Sequence, residues 1–167
     1  MLFSLQSLTK ADDIRDFEIE GVSIGDSLLD YFTKDQIDNN DLKANFKDKT
    51  VEGILFQNID LIVNYDAMQF VYKIKNMEII NITALIQTGE DIELCKKKKD
   101  QIVKDLNDIF INTKKTNDET NHQADITGKS KVISTFFKFK NGDYVAVECE
   151  KWSKDMGHPN SLKVSLR

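Results

Sequence analysis

The sequence predicts an α+β fold, a mainly antiparallel sheet of about six strands with one long helix packed on a face. Three observations lead there. Several short runs alternate apolar and polar residues with the period of two that a half-buried strand requires. One long stretch, 91–110, instead repeats its apolar residues at helical spacing. The strand-like runs follow one another through short turns, the signature of hairpins and meanders rather than of parallel crossovers. The expected element order is α-α-β-β-β-α-β-β-β in a single domain covering residues 12–167 of a 167-residue chain.

Each element has its own signal. Ile24, Leu28, Leu29 and Phe32 fall on one helical stripe, and Ser23 with Asp26 three residues later approximates a capping box. A second helical segment, 33–46, carries Ile37, Leu42 and Phe46. Strands are expected at 51–57, 67–75 and 78–87, with Asn76-Met77 as the tight connection between the last two. The long helix follows, with Ile92, Cys95, Ile102, Val103, Leu106, Ile109 and Phe110 on its apolar face, and Asp91 placed to cap it. Residues 112–131 are polar and aperiodic, and are expected to form a mobile surface loop. Asn141-Gly142 between two alternating runs, 132–140 and 143–152, is the strongest short-range hairpin signal. A final strand is expected over 161–167.

Composition narrows the function. Net charge is −5, and of 23 basic residues only Arg15 and Arg167 are arginines, leaving 21 lysines. That balance argues against nucleic acid as a partner, because phosphate recognition needs a basic footprint and favours the bidentate guanidinium. No apolar run approaches the roughly 20 residues that a membrane-spanning helix needs. Two isolated cysteines and two distant histidines, His122 and His158, show no metal-ligand spacing, and no cofactor is expected.

The opening MLFSLQSLTKA is apolar and uncharged up to Lys10, and Thr9 and Ala11 place small residues at the −3 and −1 positions of a cleavage site. Residues 1–11 therefore read as the remnant of a secretory signal peptide, and the protein as exported to the periplasm. Export makes the two cysteines informative. Cys95 lies on the apolar face of the long helix, and Cys149 alternates with Val145 and Val147 on one strand face. If helix and sheet pack together, both sulfurs enter one interface, and a Cys95–Cys149 disulfide is expected. Across a two-residue Asn141-Gly142 turn, Ser134 would stand opposite Cys149.

Two motifs imitate known chemistry. Gly21-Val22-Ser23-Ile24-Gly25 matches the G-x-S-x-G nucleophile elbow, which makes a Ser23-dependent hydrolase the alternative function. The elbow requires a parallel sheet built before it, and too few residues precede it here. Gly128-Lys129-Ser130 resembles the end of a phosphate-binding loop, but Gln123 stands where that loop has its first glycine. The most unusual local composition is the stretch 152–159, where Trp152, Met156 and His158 could form a binding lip.

Three stretches, FEIEGVSIGDSLLDYF, ELCKKKKDQIVKDL and GKSKVISTFFKFKNGDYVAVECEKWSKDMG, together resemble small exported proteins of unassigned function from AT-rich marine alphaproteobacteria. That resemblance implies a periplasmic protein. A weaker one, confined to Ile19–Leu29, is to outer-membrane assembly lipoproteins, whose lipidated cysteine has no counterpart here. The reading that emerges is a monomeric, non-enzymatic periplasmic binding or protein-interaction module for a protein or small-molecule ligand.

Overall fold

A computed structural model describes residues 13–42, 44 and 46–167. The expected cleavage site after Ala11 lies outside them. The core of the fold is a seven-stranded, wholly antiparallel sheet in the order β3-β4-β5-β9-β8-β7-β6. Its strands are β3 (Val51–Gln57), β4 (Ala67–Lys73), β5 (Ile79–Gly89), β6 (Lys114–Asn121), β7 (Lys131–Lys138), β8 (Tyr144–Lys151) and β9 (Asn160–Leu166). A two-stranded hairpin of β1 (Glu18–Ile19) and β2 (Val22–Ser23) precedes it, followed by the short helix α1 (Lys34–Asn39). The long helix α2 (Ile92–Ile109) joins β5 to β6.

The sheet is two meanders, β3-β4-β5 and β6-β7-β8-β9, joined where β5 pairs with β9. Helix α2 crosses that junction, packing on β8, β9 and β5. Ile102 and Leu106 of α2 meet Val145, Val147, Val164 and Leu166 in one continuous core. The N-terminal segment covers the other half of the same face. Phe32 stacks on Phe56 of β3 at 4.0 Å between ring centroids, and Phe17 meets Phe110 just past α2 at 5.2 Å. The opposite face presents polar and small side chains, including Gln69, Thr83, Ser134, Glu148, Lys163 and Ser165.

Four expectations are corrected by this architecture. Residues 24–32 are not a helix: they contain β2's exit and a single 3₁₀ turn, Leu28–Asp30. Leu28 and Phe32 are buried as expected, but Leu29 is exposed. The reason is that β5's start claims this backbone, with Gly25 N–H donating to Ile79 C=O, Ile79 N–H to Asp26 C=O and Leu28 N–H to Met77 C=O. Gly25 sits at φ 96°, outside any helix. The second helix is real but short. Thr33 and Gln36 form a full capping box, and the chain then leaves the helix at Asn40 to run beside β3.

The third correction concerns 112–131. Residues 114–121 of that expected loop form β6, paired along its whole length with β7. The fourth is register. The β7–β8 turn spans three residues, because Phe139 N–H donates to Asp143 C=O and Gly142 takes φ 99°. Ile133, not Ser134, therefore faces Cys149, and Ser134 faces Glu148.

Candidate functional site

The distinctive surface lies at one end of the sheet, where β8 runs out into the connection to β9. Trp152 N–H donates to Asn160 Oδ1 at 2.9 Å, which closes this connection into a loop. A 3₁₀ turn at Lys154–Met156 ends on Gly157 in the left-handed region, φ 66°. That reversal brings His158 back to Trp152, with 4.7 Å between ring centroids. His122 also meets the indole, at 3.9 Å. Beside this ring cluster opens a cleft of about 570 Å³, lined by Trp152, His158, Pro159, Ile92, Lys151 and Lys154 among others. Its size lies in the range of small-molecule sites. Trp152 and His158 of the expected lip thus share one wall, while Met156 is half-buried and does not line the cleft.

Behind Trp152 a polar cluster fixes the wall. His122 Nδ1 accepts the Ala124 N–H at 3.2 Å, so the ring proton sits on Nε2 and is donated to Glu150 Oε1 at 3.3 Å. Both nitrogens are engaged, so this histidine holds position and offers no free base. Burial pushes the Glu150 carboxyl upward. The ammonium of Lys163 at 2.6 Å and the Ser161 hydroxyl at 3.0 Å outweigh it, and the net shift is downward.

Asp125 organises the β6–β7 connection. Its Oδ2 accepts from Ser130 N–H at 2.8 Å and Ser130 Oγ at 2.6 Å, and its Oδ1 from Thr127 N–H at 2.9 Å and Thr127 Oγ1 at 2.6 Å. Ser153 N–H donates in turn to Ser130 Oγ, tying the cleft loop to this hub. The Ser130 and Thr127 hydroxyls, followed by their backbone amides, hold the Asp125 carboxyl far below the usual carboxylate range. This explains Gly128-Lys129-Ser130. Its Ser130 amide points at an anion, but the anion is the chain's own Asp125 carboxylate, while the Gly128 N–H donates to the Asp125 backbone carbonyl.

Ser23 is placed differently from a catalytic serine. It lies in β2 and is 8% exposed. Its Oγ donates to Phe17 C=O at 3.4 Å, and its N–H donates to Asp26 Oδ2 at 2.9 Å. His122 and His158 contact Trp152 and the cluster above, not Ser23, so the G-x-S-x-G turn acquires no base. Cys95 and Cys149 form a disulfide with Cα atoms 5.9 Å apart, joining α2 to β8 in the core. No group of three or more potential metal ligands occurs among the described residues.

Comparison with protein-family models, with curated proteins and with solved structures found no match to this chain. The site therefore stands on its own geometry. Sequence reasoning located Trp152, His158 and the cysteines, but missed His122, Asp125 and Glu150. Asp125-Ile126-Thr127 is a short-range Asx-turn signal that marks the hub. Nothing local links His122 to Glu150, 28 residues away.

Proposed function

We propose that this protein is a non-enzymatic periplasmic binding module whose ligand site is the Trp152 cleft. The observation that carries the proposal is one wall: an indole in contact with two imidazoles, backed by a hydrogen-bonded cluster and facing a cleft of about 570 Å³. Such pre-organisation suits binding, because little side-chain entropy remains to be lost when a ligand enters. Ile92 and Pro159 make part of the lining apolar. Lys151 and Lys154 have no ion-pair partner among the described residues and add positive charge, against the single carboxylate of Glu90. That chemistry fits a ligand or peptide segment with an aromatic or apolar body and an acidic group. The buried disulfide suits an oxidising compartment and so supports the periplasmic reading.

Trp152 is the only tryptophan, so its emission reports on the cleft directly. Titration with 1-anilinonaphthalene-8-sulfonate, an aromatic anion, should quench that emission saturably at one equivalent. His158→Ala and Lys154→Glu should weaken binding while leaving the melting temperature unchanged. Unsaturable binding, or equal binding by both variants, would overturn the assignment.

A further inference from the structure

We infer that β6 is a self-recognition edge, and that two copies of this chain join antiparallel through it into one continuous sheet. The two outer edges of the sheet are treated differently. Beside β3 the chain covers its own edge, with Leu42 N–H donating to Gly53 C=O and Leu55 N–H to Asn40 C=O. No backbone group of the described residues pairs with the outer side of β6, and seven of its eight residues are exposed.

The direction of β6's free groups follows from its pairing with β7. His122 N–H donates to Ser130 C=O, which continues the ladder in the same register. Hydrogen-bonded positions alternate along an antiparallel pair, so the even-numbered residues of β6 bond to β7. The N–H and C=O groups of Lys115, Asn117, Glu119 and Asn121 therefore point outward. Glu119 agrees, because its N–H is off the ladder and is donated to the side chain of Asp118.

A second β6 must place outward residues opposite outward residues. With the two-fold axis on Asn117, seven residues of each strand overlap. Lys115 then faces Glu119 of the other copy twice, Lys114 faces Thr120 and Thr116 faces Asp118. Sliding to an axis on Asp118 sets that carboxylate against itself, and sliding to Thr116 shortens the overlap. Lysines on an exposed edge ordinarily prevent pairing. Here the order Lys-Lys-Thr-Asn-Asp-Glu is basic at one end and acidic at the other, and an antiparallel copy reads it reversed, so basic meets acidic. With the axis perpendicular to the sheet, both α2 helices stay on one face.

Sedimentation velocity of the full chain over a concentration series tests this. The wild type should shift from 19.2 kDa toward twice that mass as concentration rises, and less so in high salt. Lys115→Glu and Glu119→Lys each place like charges opposite each other twice, and should weaken self-association about tenfold. Mixing those two variants should restore association as a heterodimer, since each supplies the charges the other lacks. The mixing arm also excludes misfolding as the cause of any loss. A wild type that stays monomeric at every concentration overturns the inference. Single reversals without effect, or a mixture that remains monomeric, overturn it equally.

Discussion

Reducing the Cys95–Cys149 bond should cost this protein about 4 kcal/mol of stability. The two residues are 54 apart in sequence, and the loop-closure entropy withheld from the unfolded chain by a cross-link of that span comes to about 4 kcal/mol at 25 °C. Both cysteines are fully buried, and the bond fastens α2 to the middle of the sheet. Reduction leaves the two sulfurs in place and so isolates the cross-link. The double variant Cys95→Ala, Cys149→Ala also removes buried sulfur, and should lose about 1 kcal/mol more at each site. At roughly 2–4 °C per kcal/mol for a chain of this size, reduction should lower the melting temperature by roughly 8–16 °C. Urea unfolding of the oxidised and the reduced, thiol-blocked protein measures the difference directly. A loss below about 1 kcal/mol would show that the unfolded chain already holds these segments together, and that the entropy argument fails here.

Two further predictions concern buried charge. Lys99 is 7% exposed, and its ammonium donates to Thr135 Oγ1 at 2.7 Å with no carboxylate in contact among the described residues. Burial lowers its pKa below the ordinary 10.5, so the unfolded chain holds that proton more tightly. The penalty is full below the folded-state pKa, and stability rises between that value and 10.5. Lys99→Met should stabilise the protein by about 1 kcal/mol at pH 7 in urea unfolding, since Thr135 keeps its bond to Asn117; a less stable variant would refute this. Asp125 has the opposite sign. Its depressed folded pKa contributes stability that is fully present above about 3.8 and is lost as pH falls through the folded value. Asp125→Asn should melt lower than the wild type at pH 7, the gap closing in strong acid; a gap unchanged between pH 7 and pH 2 would show that ionisation is not what the hub uses.

How far the sequence reached depends on the kind of force that holds each element. The long helix, β3 and the β7–β8 and β4–β5 hairpins were legible because each carries a periodic apolar stripe that must be buried. The disulfide was legible for the same reason, since each cysteine sat on such a stripe. Residues 24–32 misled because their helical spacing was genuine, yet β5 offered their backbone a better set of partners than a helix would. β6 was invisible: all but one of its residues are exposed on a polar edge, so nothing in KKTNDETN alternates, and only backbone bonds to β7 make it a strand.

The candidate site divides along the same line. Trp152 and His158 lie six residues apart, and their unusual local composition pointed to one another before any fold was known. His122 and Asp125 lie in the β6–β7 connection and Glu150 in β8, two segments whose approach depends on the β6–β7–β8 register, and one extra residue in the Asn141-Gly142 turn was enough to shift it. Local pattern by itself marked most of the apolar faces that are buried and put both cysteines on such faces. Long-range pairing decided which polar groups face each other, because a hydrogen bond between distant residues leaves no period in the chain that makes it.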